Sequence, residues 1–253
     1  MKITLVQFNP DWEDKSRNIE KLEKLLEANA PKTQLIVLPE MTLTGFTMNS
    51  GKFSEKIDGE SFNFFSDTAR RFNSDVIAGI IEQSGSNYFN TLLHVDKSGN
   101  LKSRYRKIHP FSYSTENIHY SAGNEPVVTE IDGVETGLSI CYDLRFPELY
   151  RLYAKKKVKL LINIANWPDT RITHWKTLLK ARAIENQCFF AAVNRVGKDL
   201  KLNYTGQSNI IDPMGYEIIT TDDKESIITA EFDINKVDNV RSEFPFLKDI
   251  KLI

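Results

Sequence analysis

Three residues of this chain have side chains suited to acid–base and nucleophilic chemistry, and each sits where a strand-like run stops. Glu40 closes "QLIVLPEM", Lys107 closes "LKSRYRK", and Cys141 stands in "TGLSICYDLRFPEL" between an apolar run and Pro147, a residue suited to a first helical turn. A carboxylate hemmed in by Leu38, Pro39 and Met41 would be partly desolvated, which favours its neutral form and suits a general base and acid. An ammonium fixed at Lys107 would stabilise a developing oxyanion. A thiol on a sharp turn at Cys141 would lie close to the backbone N–H groups that follow it; these stabilise a thiolate and also serve an oxyanion.

Each position has a plainer reading. Glu40 could be a solvated glutamate at a loop mouth. Lys107 ends a run with four basic residues in six positions, Lys102, Arg104, Arg106 and Lys107, and such a run is commonly a solvated strand face. Strand alternation turns Lys107 away from Arg106. Cys141 could be a small buried hydrophobe, as Cys188 in "NQCFFAAV" is read to be.

A thiol nucleophile needs a base, since at an ordinary pKa near ~8.5 only a few per cent is thiolate at neutral pH. Histidine is the familiar partner. His109, in "KIHPF", makes a Cys–His hydrolase the internal rival, but Pro110 stiffens that loop and no Asn or Asp marks itself as the third member. His174 lies on an expected helix between Thr173 and Trp175. With His94 and His119 also scattered and only two cysteines, the ligand spacing of a zinc site is missing.

The elements that must position these groups alternate. "KITLVQF" reads as a strand. "SRNIEKLEKLLEAN" places Ile19, Leu22, Leu25 and Leu26 on one helical face, and "ESFNFFSDTARRFN" does the same with Phe62, Phe65, Ala69 and Phe72. "QLIVL" and "DVIAGII" are continuous apolar runs, expected of strands buried on both sides. A hairpin joins "YFNTLLHV" to "LKSRYRK" through "DKSGN". A loop with little periodicity runs from His109 to Pro126. A second hairpin turns at Asp132-Gly133 and leads into the strand ending at Cys141. Then follow a helix from Pro147, the strand "KLLINIA", the helix "RITHWKTLLKARAIENQ", the strand "CFFAAVN", hairpins around "DPMG" and an irregular tail. This order predicts an α/β fold with helices covering sheets. A doubly wound nucleotide-binding sheet is disfavoured, because "VQFNPDWED" after the first strand has no glycine.

The 253 residues, 41% hydrophobic and 26% charged, suit a globular chain, read as one domain over 1–253. A net charge of −1 offers no field for nucleic acid or an anionic membrane, so a small molecule is the expected partner. No apolar run approaches the roughly 18 residues of a membrane span, and the N-terminal run is too short for a signal peptide. The expected location is cytoplasmic.

The order Glu, Lys, Cys in "LPEM", "YRKIHPF" and "ICYDLRFPE" resembles the nitrilase superfamily of carbon–nitrogen hydrolases. The likeness runs from "ITLVQFNP" through "ANWPDTRITHW" to "DPMG"; "EMTLTGFTM", "ENIHYSAGN" and "RAIENQCFFAAVNRVG" bring it nearest the omega-amidase branch. The resemblance implies a four-layer α-β-β-α sandwich, a Glu40–Lys107–Cys141 triad, no cofactor, and a homodimer paired through the helices beside the cysteine turn. It matches a second glutamate to Glu116 in "STENIHYSAGN". Pro110, where leucine is usual, leaves open the loop's course to Glu116, whose other reading is a loop cap. The implied reaction is hydrolysis of the ω-amide of a short dicarboxylate mono-amide such as 2-oxoglutaramate. The Tyr142 backbone N–H would serve the oxyanion. Arg145 would clamp the far carboxylate or else pair with Asp143 or Glu148 to hold the turn, and Trp167 would wall the pocket or pack in the core. N-carbamoyl, nitrile or acyl-transfer chemistry on the same triad, and a non-catalytic scaffold, are the alternatives.

Overall fold

The computed structural model describes residues 1–252. In chain order the first half contains β1 (Lys2–Gln7), α1 (Lys15–Asn29), β2 (Leu35–Val37), the short α2 (Ser50–Phe53), α3 (Glu60–Phe72), β3 (Asp75–Ser84), β4 (Asn87–Val95) and β5 (Leu101–Arg106). A one-turn helix α4 (Glu116–His119) interrupts the loop that follows. Then come β6 (Val128–Ile131), β7 (Val134–Ile140), α5 (Pro147–Lys155), β8 (Leu160–Ala165), α6 (Ile172–Asn186) and β9 (Phe189–Asn194). A ribbon of β10 (Val196–Lys198) and β11 (Asn203–Thr205) leads to β12 (Asn209–Ile211), β13 (Glu217–Thr220), β14 (Ser226–Glu231) and α7 (Lys236–Glu243).

The strands form two six-stranded mixed sheets, ordered β14-β1-β2-β3-β4-β5 and β13-β12-β9-β8-β7-β6. Each has a parallel centre, β1-β2-β3 or β7-β8-β9, with antiparallel strands outside it. Side-chain alternation explains the layering. On β2, Leu35 and Val37 enter the core shared with the second sheet, while Ile36 packs with Leu22, Leu26, Phe65 and Ala69 of α1 and α3. On the far side, Tyr150 and Tyr153 of α5 and Leu179 and Ala183 of α6 cover the second sheet. The result is the expected α-β-β-α order of layers. Strands buried on both faces explain why β2 and the Val76–Ile81 part of β3 read as unbroken apolar runs.

Local signals account for several boundaries. Asp14 accepts from the Arg17 N–H at the start of α1. α3 ends on Asn73 in the left-handed region, a conformation Asn tolerates better than most residues. Asp132 and Gly133 both have positive φ, as a type I′ hairpin turn requires. The tail departs from expectation. β14 returns to pair antiparallel with β1 at the edge of the first sheet, and α7 follows it, so this segment is regular. No described helix is long and apolar enough to cross a membrane.

Candidate active site

Glu40, Lys107 and Cys141 all stand just beyond strand ends, and the facing of the two sheets brings these ends together. Beyond β2 the backbone of Pro39–Thr42 folds against β3: Thr42 N–H donates to Gly79 O and Thr42 Oγ1 to Pro39 O. Met41 has a φ of +43°. A side chain at Gly79 would strike the backbone of Glu40 and Met41, so glycine is required for this close approach.

Lys107 follows β5 with its side chain turned the opposite way from Arg104 and Arg106, which both bind Glu82. Lys107 is buried, so the solvated-face reading does not hold. Its ammonium donates to Glu40 Oε1 at 2.8 Å and to Glu116 Oε2 and Oε1 at 2.9 and 3.1 Å. Asn90 of β4 bridges the two carboxylates, donating to Glu40 Oε1 at 2.7 Å and Glu116 Oε1 at 2.8 Å. Asn166 fixes the other side of Glu40: its N–H donates to Oε2 at 2.8 Å and its side-chain amide to the Glu40 carbonyl at 2.7 Å. Glu116 is both buried in this cluster and a loop brace, since Oε2 also accepts from the Phe111 N–H. Pro110 therefore does not divert the loop; the next residue ties it to Glu116.

Cys141 opens a 3-10 turn, Cys141–Arg145, directly after β7, with a φ of +45°. For a non-glycine residue this conformation costs on the order of 1–3 kcal/mol and is held by surrounding bonds. The Cys141 N–H donates to Asn163 Oδ1 at 3.1 Å. Asp143 Oδ2 accepts from Ile140 N–H and Tyr105 Oη, and Oδ1 from His109 N–H, tying the turn to β5 and its following loop. His109 Nδ1 is also bound to Asp143, at 2.7 Å, and the ring stacks on Phe146. Neither His109 nor His174 hydrogen-bonds the Cys141 thiol among the described residues; His174 Nδ1 meets Arg145 instead. The Cys–His arrangement is therefore not formed.

Electrostatics correct one expectation. The sequence predicts a turn that stabilises a thiolate. In the structure, burial pushes the Cys141 thiol well above its ordinary value, with the Glu40 charge adding to it and Lys107 only partly opposing. The physical reason is first the desolvation of a thiolate at this buried sulfur, and second that two carboxylates outweigh one ammonium. Burial disfavours the Lys107 charge, but Glu116 and Glu40 more than offset it and hold the ammonium well above the usual lysine range. Burial likewise raises Glu116, with Lys107 opposing and Glu40 reinforcing. Cys188 is wholly buried, its thiol pushed up to about 12 by desolvation. Titration of thiolate absorbance, with Cys141→Ala as the blank, should show Cys141 ionising only at a pH above the usual range of a free thiol. A thiolate signal at pH 7 would contradict this electrostatic picture.

The half-buried Cys141 and Lys107 line one cavity of about 410 Å³. Phe46, Phe111, Tyr142 and Trp167 give it aromatic walls. Arg145 faces this cavity with its guanidinium 4.7 Å from the Trp167 ring and makes no ion pair with Asp143 or Glu148, so it is not the brace of the turn. Trp167 fills both expected places: it is nearly buried, 5.5 Å from Trp175, and also part of the wall. Sequence reasoning missed Asn90 and Asn166. The "NWP" stretch after a strand contains Asn166, but nothing local marks Asn90, whose role depends on its neighbours across the sheet.

The carbon-nitrogen hydrolase family model matches residues 2–242. The chain is 36% identical over 251 residues to the 2-oxoglutaramate amidase of Bacillus subtilis (strain 168), covering 98% of this chain and 97% of that one. It is 36% identical over 251 residues to omega-amidase YafV of Escherichia coli (strain K12), covering 98% and 96%. Among solved structures it is similar to XC1258 from Xanthomonas campestris, a CN-hydrolase superfamily protein with an arsenic adduct in its active site. That match has a TM-score of 0.94 and 32% identity, covering 100% of this chain and 98% of that one.

Proposed function

The chain belongs to the carbon–nitrogen hydrolase family, and from that membership we infer a cysteine-dependent amidase that releases ammonia from the ω-amide of a small dicarboxylate mono-amide, 2-oxoglutaramate being the reference substrate. The observation that carries this reading is one cavity wall bearing Cys141 beside the Glu40–Lys107–Glu116 cluster, with Arg145 available for a carboxylate.

In the proposed cycle Glu40 takes the thiol proton as Cys141 Sγ attacks the amide carbon. The carbonyl π electrons move to oxygen, where the Lys107 ammonium and the Tyr142 backbone N–H stabilise the charge. An ammonium has three N–H groups. With one on Glu40 and one shared by both Glu116 oxygens, the third is free for the oxyanion. One well-aimed donor is typically worth ~10²–10³ in rate. The C–N bond breaks as Glu40 returns its proton to nitrogen, and ammonia leaves a thioester on Cys141. Glu40 then removes a proton from water, which attacks the thioester; the C–S bond breaks, the carboxylic acid departs, and the proton returns to sulfur. Glu116 keeps Lys107 charged and aimed. A proton held on sulfur at rest fits a base acting in the attack step itself.

A nucleophilic thiol must stay reduced, which suits the cytoplasm. A homodimer through α5 and α6 is supported by Leu152 and Ile184, which are 40% and 50% exposed on those helices. The chain is read as one catalytic domain. Ammonia release on 2-oxoglutaramate, an N-carbamoyl amino acid and an aliphatic nitrile tests the reaction class. The ω-amide should give the highest kcat/KM; preference for either of the others would overturn the assignment.

A further inference from the structure

Four cationic side chains line the cavity: Lys107, Arg145, Arg171 and Lys201. Lys107 is already neutralised by Glu40 and Glu116. Lys201 sits on the exposed turn between β10 and β11. The two arginines are different. Among the described residues Arg145 has only His174 Nδ1 and the Trp167 and Tyr142 rings as partners. Arg171, from the 3-10 turn Asp169–Arg171 after β8, has its guanidinium 5.3 Å from the Phe111 ring and donates no side-chain hydrogen bond among the described residues. Its turn is pinned, since Trp167 Nε1 donates to the Arg171 carbonyl at 2.8 Å.

The acids on the same wall are occupied elsewhere. Glu13 accepts from Thr47 and Asn49. Asp199 accepts from Tyr204 Oη and the N–H groups of Lys201 and Leu202. Burial, with the like charge of Arg171 adding to it, holds the Arg145 guanidinium below its ordinary range. Two cations that repel each other, on a partly desolvated wall and without a counter-ion, cost stability. An anionic ligand removes that cost, and two guanidinium forks match the planar oxygens of a carboxylate.

We propose that Arg171 determines specificity: together with Arg145 it holds the substrate carboxylate at the end remote from Cys141, so the cavity selects carboxylate-bearing amides over neutral amides of the same length. The proposal rests on the amidase reading of the Cys141 site. What it adds to that reading is Arg171, a second guanidinium from the separate turn after β8.

Two arms test it. In the first, kcat/KM is measured for succinamate and for the neutral butyramide. The succinamate-to-butyramide ratio should fall by about 10- to 100-fold in Arg171→Gln, the worth of a charge-assisted hydrogen bond, with the change in KM. Arg171→Lys, which keeps the charge but loses the fork, should recover part of it. An unchanged ratio overturns the proposal. In the second, succinate is titrated calorimetrically into the Cys141→Ala protein with and without Arg171→Gln. Binding should weaken by a similar factor in the double variant; equal binding overturns the proposal. The second arm needs no turnover. If the unmodified protein hydrolyses no amide yet Arg171-dependent succinate binding persists, the amidase reading fails while the carboxylate site stands.

Discussion

Replacing Cys141 with alanine is expected to lower kcat on 2-oxoglutaramate by at least about 10⁴-fold, because loss of a covalent nucleophile removes the whole two-step route and leaves only binding and oxyanion donors. Stability should change by less than about 1 kcal/mol. The turn is held by Asn163 and Asp143 through backbone groups that alanine retains. Ammonia release and thermal unfolding on the same preparation separate the two effects. Full activity in this variant would eliminate every version of the mechanism.

Lys107→Met should have the second largest effect, on both activity and folding. Methionine preserves length but leaves Glu40 and Glu116 buried side by side with only Asn90 between them. Removing one partner of a buried ion cluster typically costs ~3–5 kcal/mol, since the remaining charge is uncompensated. Loss of the ammonium as oxyanion donor should lower kcat by at least about 10²–10³-fold. The pH dependence follows from the signs. Lys107 is raised in the folded protein, so its contribution is present in full below the usual lysine value and is lost as pH rises through the folded one. In the variant, one carboxylate must share its site with a like charge and is raised. Stability should therefore be gained on acidification, as a proton relieves the repulsion. Adding Glu116→Gln should restore part of the loss by removing one charge. Urea unfolding of the two single variants, the double variant and the unmodified protein measures the coupling. A Lys107→Met protein as stable as the original would contradict the buried ion cluster.

What the sequence made legible depended on how local each signal was. Glu40 drew notice because an apolar run stopped at a carboxylate, and Cys141 because a strand pattern met a helix-starting proline, though each local signal also fitted a plainer role and only the order Glu, Lys, Cys joined them. Lys107 was ambiguous as one of four basic residues; alternation turns it away from Arg104 and Arg106, which bind Glu82, but only the facing of the two sheets shows that its side is the buried one. Asn90 gave no signal at all, since its donors matter only beside carboxylates brought from β2 and α4. The tail misled for the same reason. β14 has its partner in β1, more than 200 residues earlier, and a short edge strand is hard to distinguish from a hairpin arm without that partner. The expected thiolate failed because the turn's N–H groups are a local feature, whereas the burial that disfavours the charge, and the carboxylates that add to it, come from distant segments. Arg145 pairs with neither Asp143, whose oxygens are filled by Ile140, Tyr105 and His109, nor Glu148, and it lines the cavity instead.

Covalent chemistry at Cys141 is open to one direct observation. Intact-mass analysis after rapid acid quench of the protein with 2-oxoglutaramate should show an adduct equal to the substrate less ammonia. Peptide mapping should locate it on Cys141, and it should be absent from Cys141→Ala. Turnover with no adduct at any quench time, or an adduct on Cys188 instead, would contradict a Cys141 thioester.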